Sequence, residues 1–212
     1  MRPRHSAGPH RFIVADEAVC YDRTMTIVPT AIRHAQRRAW VATISFFGLG
    51  LIGTMTTVTD WQIAVPLMIF YFVMLVNSFF SIRYFALLEP LRDRRQFILD
   101  LGMIVTYASA PFFFSYPVIF SAICTTLFVL GSIKYFVLTH HQTTPILIRK
   151  TRIDYLTAVF GFPVTWLMTT DHVLFVAWAF AIGNIIVNYE LLIRRPLYPF
   201  PPTDGFQSRA QG

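Results

Sequence analysis

Six polar side chains stand in or near long apolar runs where hydrocarbon has least use for them: Arg83, Asp100, Lys134, Asp154, Asn188 and Glu190. A charge inside a membrane is costly, so it needs a partner or a water-filled space. Asp100 lies four residues past Gln96, roughly 6 Å along a helix, and Lys134 six residues before His140, roughly 9 Å from that helix end. On adjacent antiparallel helices the two reach comparable depth, which predicts an ion pair. Arg83 occupies the matching place one helix earlier, and Asp154, Asn188 and Glu190 stand near the same ends of the last two helices. Together the six could line a vestibule for a small solute or ion. The plainer reading is that Arg83 and Lys134 snorkel to headgroups while the acids cap helix ends. Asp100 is too short to snorkel, so it separates the two readings.

No other grouping of residues supplies chemistry. His140 and His141 are adjacent, hence about 100° apart on a helix, with no Cys or carboxylate at ligand spacing, which argues against a metal. The remaining histidines, His5, His10, His34 and His172, offer no pair of axial haem ligands, and no nucleophile elbow, P-loop or dinucleotide glycine pattern occurs. The expectation is therefore no cofactor and no recognisable catalytic signature. Gln36-Arg37-Arg38-Ala39-Trp40 resembles a degraded Gln-x-x-Arg-Trp motif, which precedes membrane helices in processive family-2 glycosyltransferases. Ala39 replaces that family's arginine, and only 35 residues precede Gln36 where the family places a sugar-nucleotide domain. What the resemblance implies is at most the detached membrane part of such an enzyme system.

The elements that must hold these residues are membrane helices. Of 212 residues, 55% are hydrophobic and 14% charged, and the mean hydropathy is +0.52. That composition is far from that of a soluble domain. Six apolar segments run Val41 to Val58, Ile63 to Leu88, Phe97 to Phe113, Tyr116 to Thr139, Ile153 to Met168 and Val173 to Ile193. Each approaches the roughly 17 to 25 residues that cross a bilayer. The fifth is the weakest, being short with Pro163 inside it. The turns Thr59 to Gln62, around Ser115, and Thr169 to His172 carry none of the 18 Lys and Arg residues. All of those flank the other connections or the termini, which by the positive-inside rule places those flanks and both termini in the cytoplasm.

The predicted fold is all-α: an integral membrane bundle of six transmembrane helices in three hairpins, with an N-terminal cytoplasmic interfacial helix over Pro29 to Trp40. Residues 1–39 form the basic cytoplasmic region, 40–194 the transmembrane domain and 195–212 a cytoplasmic tail, with Met1 to His10 and Pro199 to Gly212 unstructured. No cleavable signal precedes the first span, which should act as a retained anchor. Cys20 and Cys124 allow no disulfide framework. A net charge of +7 then reflects topology and contact with anionic lipids at the cytoplasmic face rather than nucleic acid.

Ser81-Ile82-Arg83-Tyr84-Phe85-Ala86-Leu87 and Ser132-Ile133-Lys134-Tyr135-Phe136-Val137-Leu138 share five of seven residues, which suggests a repeated hairpin, although other matches follow inconsistent offsets. Small residues at spacing four, Gly102, Thr106 and Ala110, and Ala177 and Ala181, predict close helix contacts within one chain or between copies in a homo-oligomer. The leading functional expectation is passage of a small solute or ion through a cytosol-facing polar vestibule. The alternative is a non-enzymatic scaffold or accessory subunit of a larger membrane complex. A polar path to the far side is thin, resting on Asn77, Thr106, Tyr107, Thr125, Thr126, Thr165 and Asn184.

Overall fold

The structure is a computed structural model and describes residues 29–87, 94–141 and 143–198. The terminal segments from Met1 and from Pro199, together with Cys20, lie outside the described residues. Six helices follow in order: α1 (Pro29–Thr57), α2 (Trp61–Phe85), α3 (Arg94–Ser109), α4 (Pro117–His141), α5 (Pro145–Leu167) and α6 (Val173–Tyr189). A 3-10 turn (Ala110–Phe113) tightens the end of α3, and a π turn (Glu190–Arg194) loosens the end of α6. No strand occurs among the described residues. Local chemistry sets the starts. Pro29, Pro117 and Pro145 each open a helix where a missing N–H costs nothing. The Asp60 carboxylate accepts from the Gln62 and Ile63 N–H groups at 2.9 and 3.4 Å, and the Thr144 hydroxyl accepts from Leu147 N–H at 3.3 Å.

Five of the helices are long and apolar enough to cross a membrane: Ile32–Thr57, Trp61–Phe85, Arg94–Phe113, Pro117–His140 and Val173–Arg194. Their outward faces carry large apolar side chains, with Met55 83% exposed, Phe175 76% and Phe97 67%. Such a surface is satisfied by lipid and not by water. The chain is a multi-pass integral membrane protein.

Four expectations need revision. The fifth apolar segment belongs to a helix that begins at Pro145, so α5 carries Arg149, Lys150, Arg152 and Asp154 in its first half and is not among the five candidate spans. Residues 29–40 form no separate interfacial helix. They continue without a break into α1, where Ala35 and Ala39 are buried and Trp40 packs on Phe79 of α2 with ring centroids 4.8 Å apart. The third pair of helices is not a packed hairpin, because α5 runs along α4 and α6 along α2 while α5 and α6 touch little. The segment after residue 194 is not all tail, since Leu197 and Tyr198 are buried and Leu197 N–H donates to the Leu191 carbonyl at 2.8 Å.

The short turns nevertheless gather at one end. The Ser115 hydroxyl accepts from Thr59 and Asp60 N–H at 2.9 and 3.4 Å and donates to the Thr57 carbonyl at 3.4 Å, which ties the first two turns together. Met168, at the start of the third turn, belongs to the same core cluster as Phe114 and Phe120. At the opposite, basic end a second cluster joins Tyr84, Phe85, Tyr135, Leu138, Leu147, Leu197 and Tyr198. The small-residue stripe of α6 serves this packing. Ala177 and Ala181 are fully buried within the chain, Phe180 stacks on Phe70 at 3.9 Å, and the Asn184 amide donates to the Phe70 carbonyl at 3.0 Å.

Candidate functional site

Helices α1 and α3 converge where α1 reaches the 3-10 turn. A Cβ on Gly53 would sit 2.6 Å from the Pro111 carbonyl oxygen, so only glycine permits this approach. Towards the basic end the two helices make few contacts. The space that opens between them is a cavity of about 640 Å³, walled by α1 to α4 with two residues of α5. That volume falls in the range of small-molecule sites.

Asp100 and Lys134 form an ion pair of 2.6 Å across α3 and α4, with side chains 27% and 10% exposed. One turn earlier, the buried Gln96 donates to the Lys134 carbonyl at 3.4 Å, which fixes the register of the two helices. A second pair, Lys150 with Asp154, lies within α5 and is almost wholly buried. Gly131 of α4 makes room for it: a Cβ there would lie 3.0 Å from Asp154 Oδ2. Lys150 Nζ also stands 5.2 Å from the centre of the Tyr135 ring, a favourable cation over a π face. The Tyr135 hydroxyl in turn shares a hydrogen bond of 2.7 Å with Ser81 of α2. A continuous polar chain thus runs Asp154, Lys150, Tyr135, Ser81 across three helices.

The floor is aromatic. Tyr107 stacks on Phe46 at 5.0 Å and bonds through its hydroxyl to Ser78, while Tyr71, fully buried, donates to the Phe46 carbonyl at 2.9 Å. Tyr71 meets Phe114 edge-on at 5.7 Å, and Phe114 packs on Phe120, closing the core towards the turn end. Asn77 lines the cavity near this floor, and its buried carbonyl oxygen has no hydrogen-bond partner among the described residues. The mouth carries His34, Arg37 and Arg38, one face of α1 at spacings of three and four. Among the described lining residues four are Arg or Lys and two are Asp.

Of the six residues singled out by sequence, Asp100, Lys134 and Asp154 line this cavity and the other three do not. Arg83 is half-buried on α2 outside the lining. Asn188 turns its amide back to Asn184 at 2.8 Å, and Glu190 pairs with Arg194 and Arg195 at 3.2 and 3.3 Å on the π turn. Sequence reasoning overlooked Lys150, Tyr135 and the serines of α2. The readable signal was the spacing of four between Lys150 and Asp154. Among the described residues no group of three His, Cys, Asp or Glu side chains converges as metal ligands would. Compared with known protein families, curated proteins and solved structures, the chain matches none.

Proposed function

We propose that the chain binds a small ligand in this cavity and passes it across the bilayer, with the cavity open towards the cytoplasm and closed towards the other face. The observation that carries the reading is the pairing of a sizeable cavity, walled by two compensated ion pairs, with an aromatic floor that stops it midway. A purely structural bundle gains nothing from this arrangement, because replacing a buried ion pair by apolar residues is often neutral or stabilising. Cytoplasmic orientation follows from the basic flanks. Passage requires the floor of Phe46, Tyr71 and Tyr107 to part, and the close seat of Gly53 on Pro111 is the joint about which α1 and α3 would separate.

Cysteine accessibility tests the proposal. With Cys20→Ser and Cys124→Ala as background, Ser78→Cys at the floor should react with a small hydrophilic thiol reagent applied from the cytoplasmic side only. Leu67→Cys, in the core beyond the floor, should stay inert. Tyr71→Ala should let the same reagent reach Ser78→Cys from both sides. A Ser78→Cys variant that never reacts would show that water does not enter, and the accessory-subunit reading would replace this one.

A further inference from the structure

The cavity is open along its side as well as at its end. Val41 and Ile104 belong to its lining and yet are 58% and 51% exposed, so they form the two lips of a slot between α1 and α3. Ser45, also lining and exposed, lies one turn beyond Val41. From Arg38 the slot runs seven residues to Ser45, roughly 10 Å into the hydrocarbon. Its outer surroundings on α3, Leu101 and Val105, are lipid-facing. At its basic end the lining carries Arg37, Arg38 and His34.

We infer that the ligand is an anionic membrane amphiphile whose apolar tail enters sideways through the slot between α1 and α3 while Arg37, with His34, holds its headgroup. The apolar lips admit a chain and repel a bare ion, and the Arg37 guanidinium at the basic end of the slot selects a negative head. A planar, fork-shaped guanidinium suits a phosphate or carboxylate head. This inference rests on the cavity being a ligand site.

Native mass spectrometry of the full chain in a neutral detergent, titrated with phosphatidylglycerol or phosphatidylcholine, tests it. Phosphatidylglycerol should form one saturable adduct, preferred at least tenfold over phosphatidylcholine. Arg37→Gln, an exposed position, should reduce that preference roughly fivefold. Ser45→Phe, which plugs the slot without changing charge, should abolish the adduct. Inorganic phosphate should not displace it at millimolar concentration. Equal uptake of the two lipids, an adduct that survives Ser45→Phe, or displacement by phosphate alone would each overturn the inference. If Ser78→Cys is water-accessible while these lipid results fail, only the ligand class is wrong. If Ser78→Cys is inert, the cavity reading itself falls.

Discussion

A carboxylate as short as that of Asp100 snorkels poorly, and Lys134 on α4 meets it at 2.6 Å. Removing Lys134 leaves the Asp100 carboxylate uncompensated, at about 3 to 5 kcal/mol, whereas replacing both partners can be nearly neutral. The lower end applies here because 27% of the Asp100 side chain stays exposed. Asp100→Asn and Lys134→Met should each lower thermal stability in detergent, and the double variant should recover part of the loss. Strictly additive losses would show that the two groups do not interact. The pair was legible in the sequence because depth can be counted from the helix ends. Lys150 with Asp154 was overlooked despite its spacing of four, although it is the more buried of the two pairs. Hydropathy marks where a run is apolar, not where the helix starts, so Lys150 was assigned to a connecting flank. The cap of Thr144 followed by Pro145 was the sign that α5 begins earlier.

At the scale of the element, α5 shows why composition alone misjudges a helix. It fails as an apolar span, yet it lies antiparallel against the length of α4: Leu147 clusters with Leu138, Lys150 faces Tyr135, Asp154 faces Gly131, and Thr165 reaches Thr125 at 3.4 Å. Of the four charges in its first half, Lys150 and Asp154 turn inward to the cavity while Arg149 and Arg152 stay exposed, and a helix can carry polar groups at membrane depth when the bundle supplies their partners. Close approach depends on Gly161, where a Cβ would lie 2.9 Å from Thr125 Cγ2 and 3.0 Å from its Cβ. Gly161→Ala should therefore destabilise by about 1 to 3 kcal/mol through overpacking. Thr125→Ala in the same chain should recover most of that loss. Gly48→Ala, where nothing lies within 4 Å, should be neutral, and thermal unfolding of the three variants checks the contrast. The same limit explains the first helix. Arg33 and Arg37 on one side with Ala35 and Ala39 elsewhere read as an interfacial helix, but the buried alanines seat the basic end of a span on α2.

For the whole molecule the open issue is parity. Five apolar spans would leave the termini on opposite sides; we propose that α5, matched to α4 along its length, is a sixth crossing that returns the chain to its starting side. The geometry favours six. Hydrogen bonds of Ser115 and the packing of Met168 bring the three uncharged turns to one end. The basic connections are joined at the other by the cluster around Tyr84, Tyr135 and Leu147. An unsupported fifth segment of half-length would instead have left the last turn at the basic end. The positive-inside rule predicts that the basic side faces the cytoplasm. With Cys124→Ala as background, Cys20 should react with a membrane-impermeant thiol reagent from the cytoplasmic side alone. Thr59→Cys and Thr170→Cys, carried with Cys20→Ser, should react only from the opposite side. The informative position is Thr170, which lies between α5 and α6: labelling there from the cytoplasm, while Thr59→Cys labels from outside, would mean that α5 turns back within the membrane and the chain crosses five times. Agreement between Thr59 and Thr170, with Cys20 opposed to both, establishes that α5 crosses and that the cavity mouth at Arg37 opens to the cytoplasm.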